Sequence, residues 1–141
     1  MKILVINGPN LNLLGVREPD IYGHQSYADL VAFIEKTAAD CGVEVEVRQT
    51  NHEGLIVDWI QECRGTFDAL AINAAAYTHT SVAIHDAIKA VRIRTVEVHL
   101  SEPKNRDDFR KMSFIESVAE KTCSGRGFES YADAIRHLAA K

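Results

Sequence analysis

The sequence predicts an α/β fold, a doubly wound parallel five-stranded sheet with helices on both faces. Three observations carry this. Strand-length apolar runs alternate along the chain with segments of helical periodicity. The crossovers between those runs are short enough to be single helices, the connection that parallel neighbours use. The first run, Lys2–Asn7, is rich in Ile and Val and reads as a strand buried in the sheet.

The elements follow in order. The first strand ends at Gly8-Pro9, and Ser26 with Asp29 three residues later has capping-box spacing. Leu30, Val31, Phe33, Ile34 and Ala38 then recur at helical spacing until Gly42 stops the helix. Val43, Val45 and Val47 alternate with Glu44, Glu46 and Arg48, the pattern of a half-exposed strand. Leu55–Arg64 is a short amphipathic helix closed by Gly65, Phe67–Asn73 the next apolar strand, and Ser81–Val91 the next helix. Arg94–Leu100 is a fourth strand, with Val96 and Val98 on one face and Glu97 and His99 on the other. After a polar segment, 101–113, come a last short strand, Val118–Cys123, and a closing helix, Tyr131–Ala140.

Composition bounds the function. The 141 residues fit one domain, 1–141, with no linker, repeat or low-complexity stretch. A domain of that size buries roughly 70% of its unfolded surface and needs no disulfide staples. A hydrophobic content of 46% against 26% charged excludes a disordered or fibrous chain. The net charge of −4 argues against a general nucleic-acid binder. No apolar run approaches the ~18 residues of a membrane span, and the N-terminus reads as a strand, not a secretory signal. Cys41, Cys63 and Cys123 are odd in number and form no Cys-x-x-Cys pair, which fits buried thiols in a reducing cytoplasm.

In doubly wound sheets ligands sit beyond the carboxyl ends of the strands. The chemistry is therefore expected in segments 7–25, 50–54, 73–80 and 99–113. The first of these is longer than a plain connection and has the length of a binding loop or lid. It carries neither a spaced glycine triad nor a Gly-Lys-Ser/Thr ending, which demotes the alternative of a nucleotide- or flavin-binding module. A phospho-receiver needs acidic magnesium ligands after the first and third strands, where this chain has Asn7 and Asn73.

Glu97 and His99 stand two residues apart at a strand's carboxyl edge, so they share a face. A carboxylate there fixes the imidazole's tautomer and suits it to acid–base work near neutral pH. No histidine pair has metal-ligand spacing, and no metal site is expected. His24 and His137 read as solvated surface residues, and His52 either as a cap of the following helix or as a catalytic residue. Ser81 and Ser101 lack a strained nucleophile turn, and the cysteines fall in element interiors.

Six motifs occur in order: Asn-Gly-Pro-Asn-Leu-Asn-Leu-Leu-Gly (7–15), Arg-Glu-Pro-x-Ile-Tyr-Gly (17–23), Asn-His-Glu-Gly (51–54), Ala-Tyr-Thr-His-Thr-Ser (76–81), Glu-Val-His-Leu-Ser (97–101) and Arg-x-x-Phe-Arg (106–110). With them the chain resembles the type II 3-dehydroquinate dehydratases nearly end to end. The resemblance implies a flavodoxin-like fold, a place in the shikimate pathway of aromatic amino-acid biosynthesis, no cofactor, and a homododecamer built from trimers. The implied reaction is loss of water from 3-dehydroquinate to give 3-dehydroshikimate, by stepwise anti elimination through an enolate.

Residue by residue, the resemblance makes Tyr22 the base and sets Arg17 against it. Tyrosine has a reference pKa near 10, so half-ionisation at neutral pH needs on the order of 4 kcal/mol of preferential phenolate stabilisation. A guanidinium is the right kind of neighbour for that. Asn10 is implied as the donor to the enolate oxygen, and His99 as the acid for the departing hydroxyl, oriented by Glu97. Asn73, His79 and Arg110 match residues holding the substrate's hydroxyls, and the amides of Leu100 and Ser101 match those binding its carboxylate. Asp86 matches a residue that reaches a neighbouring subunit's site.

The chain departs from the family's usual pattern at Glu102, where Asn is common, at Ala74-Ala75, where Pro-Gly or Ala-Gly is common, and at Ser124-Gly125-Arg126-Gly127. A carboxylate added beside an anionic substrate is expected to be mildly repulsive.

Overall fold

The computed structural model describes residues 1–16 and 25–140. Five parallel strands form one sheet: β1 (Lys2–Asn7), β2 (Glu44–Gln49), β3 (Ala69–Asn73), β4 (Arg94–Val98) and β5 (Lys121–Cys123). Their spatial order is β2-β1-β3-β4-β5. Helices α1 (Tyr27–Asp40), α2 (Glu53–Glu62), α3 (Val82–Val91) and α4 (Phe128–Ala139) cover the two faces.

Strand periodicity divides the core in two. Ile3, Val5, Ala71, Val96 and Val98 point to one side, where Leu30, Ile34, Tyr131, Ile135 and Leu138 of α1 and α4 meet them. Leu4, Ile6, Leu70 and Ile72 point to the other, against Ile56, Ile60, Ile84 and Ile88 of α2 and α3. Ile3–Ile6 of β1 and Ala69–Ile72 of β3 are unbroken apolar runs because both of their faces are covered. β2 lies at the edge and keeps its charges. Arg48 there stacks 5.5 Å from the Trp59 ring and pairs with Glu46 and Glu62.

The element ends differ from the sequence expectation in instructive ways. α4 begins at Phe128, three residues before Tyr131, because the buried set Phe128, Tyr131, Ala132, Ile135 and Leu138 keeps helical spacing from that point. The last strand shortens to Lys121–Cys123, since 116–118 forms a 3-10 turn. α2 begins at Glu53, where the preceding His52 makes no side-chain cap. His137 is not merely solvated, because its Nε2 pairs with Glu120 at 2.7 Å.

The chain leaves β1 for β2 on one side, then crosses back to β3 on the other, which opens a crevice at the carboxyl ends of β1 and β3. Asn7 and Asn73 are register partners at that edge. The turn after β1 is drawn tightly onto the turn after β3: the Gly8 N–H donates to the Asn73 carbonyl at 2.8 Å. A Cβ on Gly8 would lie 2.6 Å from the Ala74 carbonyl oxygen, so only glycine fits there.

Candidate active site

The cleft at the carboxyl edge is lined by Asn10 from the first turn, Asn73 and His79 from the end of β3 and its turn, and His99, Leu100, Ser101, Arg106 and Arg110 from the segment after β4. A second cavity adjoins it behind His99 and is lined by Thr78, Glu97, Glu102, Ser113, Thr122 and Ser124 among others.

β4 ends at Val98, two residues short of the expected Leu100. The His99 N–H still donates to the Cys123 carbonyl at 3.0 Å, and the extended course keeps Glu97 and His99 together. His99 Nε2 donates to Glu97 Oε2 at 2.6 Å, with the two side chains only 9% and 2% exposed. Because a carboxylate accepts, Nε2 carries the proton and Nδ1 remains as the nitrogen able to exchange one with a ligand. Glu97 is held by more than the histidine. Ser113 donates to its Oε2 at 2.7 Å and Thr122 to its Oε1 at 3.2 Å. Burial works to raise the Glu97 carboxyl, but the bonds from His99, Ser113 and Thr122 outweigh it and hold it below the usual range. Ser113 is itself aimed by the N–H groups of Ile115 and Glu116, which both donate to its Oγ at 3.1 Å.

His79 closes the 3-10 turn Ala75–His79. Its Nδ1 lies 2.7 Å from the Met112 carbonyl and must be the donor, which leaves Nε2 as an acceptor in the neutral ring. Burial lowers the His79 pKa and keeps it neutral, although the Met112 bond works the other way. Asn73 is fixed at both ends: its Nδ2 donates to the Tyr131 hydroxyl at 2.9 Å and its Oδ1 accepts from Ala75 N–H at 3.1 Å. The Tyr131 hydroxyl passes on to Asn7 Oδ1 at 2.6 Å. One N–H of the Asn73 amide remains for a ligand.

The loop after β4 is gripped from behind. Gly127 and Gly125 donate their N–H groups to the carbonyls of Leu100 and Ser101, at 2.9 and 3.2 Å. Both glycines have positive φ, 61° and 81°, so the unusual tail sequence is what lets the chain turn under the loop. Arg110 lies over the Phe109 ring at 5.0 Å, with its Nε 3.4 Å from Asp107.

Of the residues singled out in the sequence, Asn10, Asn73, His79, His99, Leu100, Ser101 and Arg110 meet in the cleft, with Glu97 directly behind His99. Asp86 is not among them. It is exposed on α3 and accepts from His85 Nδ1 at 2.9 Å. Arg17 and Tyr22 lie outside the described residues. Ser81 caps α3, its Oγ accepting from Ile84 N–H at 3.0 Å and donating to Glu53. Burial pushes the Cys63 thiol up to about 11, which suits an inert core cysteine. Gln49 and Thr122 lie outside the segments singled out in the sequence, and Asn51 and Ser113 lie within them with no role assigned, because each acts through a partner distant in sequence. Among the described residues no three His, Cys, Asp or Glu side chains form a metal-holding group, and no helix is long and apolar enough to cross a membrane.

Comparison with known proteins agrees with this geometry. The family model described as Dehydroquinase class II matches residues 1–139. The chain is 50% identical over 137 residues to 3-dehydroquinate dehydratase 2 of Pseudomonas putida, covering 97% of this chain and 92% of that one. It is 52% identical over 138 residues to the 3-dehydroquinate dehydratase of Geotalea daltonii, covering 98% and 96%. Among solved structures, the type II dehydroquinase of Butyrivibrio crossotus superposes with a TM-score of 0.96 at 47% identity, covering 98% of this chain and 97% of that one. The flavodoxin-like sheet, the cleft at its switch point and this end-to-end similarity agree: the chain belongs to the class II dehydroquinase family.

Proposed function

We propose that the protein is a hydro-lyase that removes water from 3-dehydroquinate to give 3-dehydroshikimate, without metal or cofactor. The observation that carries the reading is the buried Glu97–His99 pair at the cleft wall, bonded at 2.6 Å. Tyr22, made more acidic by Arg17, takes the proton from the carbon beside the ketone, and the C–H electrons pass into an enolate. Asn10 donates to the oxyanion, in place before the charge develops. The enolate then collapses, the C–O bond on the neighbouring carbon breaks, and the proton on His99 Nδ1 goes to the departing oxygen. The products are the conjugated enone and one water.

Electrostatics support these roles. Glu97 accepts from His99 Nε2 and leaves Nδ1 for the departing hydroxyl, while neutral His79 offers Nε2 to a substrate hydroxyl. Arg110 and the amides of Leu100 and Ser101 supply the local attraction that an anionic substrate needs against a net charge of −4. The exposed position of Asp86, away from its own cleft, supports a homododecamer in which it reaches a neighbouring subunit's site. Three free cysteines suit a cytoplasmic place in the shikimate pathway.

Tyr22→Phe tests the base. Turnover is expected to fall at least ~10²-fold with the fold intact, as loss of a general base implies. A near-normal rate removes Tyr22 from the mechanism. Borohydride is expected to leave no substrate fixed on the protein, since no Schiff-base lysine takes part.

A further inference from the structure

Two side chains with no part in the proposed chemistry hold the turn that carries Asn10. Asn10 has φ 71°, a left-handed backbone that asparagine tolerates better than most residues but still adopts against a preference for the right-handed region. Its N–H donates to Asn51 Oδ1 at 3.0 Å. Gln49, the last residue of β2, places its Nε2 3.1 Å from the Gly8 carbonyl, 3.1 Å from Asn51 Oδ1 and 3.4 Å from Asn12 Oδ1. The register of β2 against β1 fixes Gln49 opposite Asn7, so this clamp is anchored in the sheet.

Asn51 also reaches the other side of the cleft. Its backbone carbonyl accepts from the Tyr77 hydroxyl at 2.9 Å. Tyr77 belongs to the 3-10 turn that ends at His79. One residue therefore ties the turn bearing Asn10 to the turn bearing His79. A donor aimed at developing charge is effective only when its own position is fixed beforehand.

We propose that Asn51, supported by Gln49, is a positioning residue that presets Asn10 for the enolate oxygen and couples that turn to the His79 turn. The inference rests on the reading of Asn10 as the oxyanion donor. It assigns Asn51 an effect on the chemical step rather than on substrate binding, because the bond it makes is to the backbone of Asn10 and not to a ligand.

The test is a double-mutant cycle on the intact assembly with 3-dehydroquinate, measuring kcat and KM for Asn51→Ala, Asn10→Ala and the pair. Asn51→Ala is expected to lower kcat about tenfold, with KM changing less than about twofold. In the Asn10→Ala background the same substitution is expected to change kcat by less than about twofold. If Asn10→Ala slows the enzyme while Asn51→Ala does not, the positioning role is overturned and the reading of Asn10 stands. A tenfold loss from Asn51→Ala in both backgrounds also overturns it, since Asn51 then acts independently of Asn10. If Asn10→Ala itself keeps full kcat, the oxyanion reading fails and the inference with it. Should Asn51→Ala not fold, Gln49→Met removes the second bond to the same turn, and a kcat within twofold of the parent in that variant contradicts the clamp.

Discussion

Ser124 Oγ donates to Glu102 Oε1 at 2.8 Å and joins two of the positions at which the chain departs from its family's usual pattern. The bond holds the Glu102 carboxylate in the second cavity, with its other oxygen over the Lys104 N–H at 3.3 Å. Glu102 does not line the cleft proposed to take the substrate. The repulsion expected of an extra carboxylate is thus reduced by where the side chain points. Ser124→Ala frees it, and KM for 3-dehydroquinate is expected to rise about threefold with kcat little changed. Glu102→Gln in the parent is expected to alter KM by less than about twofold, and a tenfold fall would show that Glu102 repels substrate where it stands.

Ser113 and Thr122 both donate to Glu97 and through it act on His99, the proposed acid. Removing a hydroxyl that donates to an ionised carboxylate raises its pKa. Ser113→Ala is therefore expected to move the acidic limb of the kcat profile to higher pH and to lower kcat several-fold at its optimum. An unshifted acidic limb would show that Ser113 is only a scaffold for Ile115 and Glu116.

The buried relay from Asn73 through Tyr131 to Asn7 has a stability signature. Burial pushes the Tyr131 hydroxyl well above the usual phenol range, so it stays protonated and donates. Tyr131→Phe strands Asn7 Oδ1 and one Asn73 N–H in the core and is expected to cost about 1–3 kcal/mol in urea unfolding. A change below about 0.5 kcal/mol would mean that the two asparagines re-pair without it.

Ala75 stands at φ 52°, a backbone region that favours glycine. Ala75→Gly is expected to raise stability by a few tenths to about 1 kcal/mol. Gly8→Ala, whose Cβ would meet the Ala74 backbone, is expected to destabilise by more than that and to disturb the Asn10 turn.

Glu120 gives the pH dependence a sign. The Arg94 guanidinium, with help from His137, lowers its carboxyl to about 2 from 4.5. A carboxyl depressed in the folded state contributes stability that is present above about 4.5 and lost as pH falls toward 2. Glu120 is a third exposed, so the contribution stays below about 1 kcal/mol. Glu120→Gln should show that loss at pH 7 and converge with the parent near pH 2. A constant difference across that range would point to packing instead.

Much of this site could be read from the chain because its logic is local. Glu97 lies on β4 and His99 one residue past its end, and the period of two, carried on by the His99 N–H bond to Cys123, puts them together. The strand ends that hold Asn73 and His99 follow from the parallel sheet. What stayed hidden depends on distant neighbours. Ser113 meets Glu97 across 16 residues and Thr122 across 25, while Asn51 meets Asn10 across 41. The need for Gly8 comes from Ala74, a contact that no local pattern encodes. Phe128 fits the spacing of α4, although the sequence reading starts that helix at Tyr131.

The most direct test of the account is the rise of conjugated-enone absorbance when the purified protein meets 3-dehydroquinate, with and without a chelator. Steady turnover is expected that the chelator does not diminish and that His99→Asn lowers by ~10²-fold or more, as loss of a general acid implies. A folded protein that produces no enone, or a His99→Asn variant that turns over at the parent rate, would contradict it.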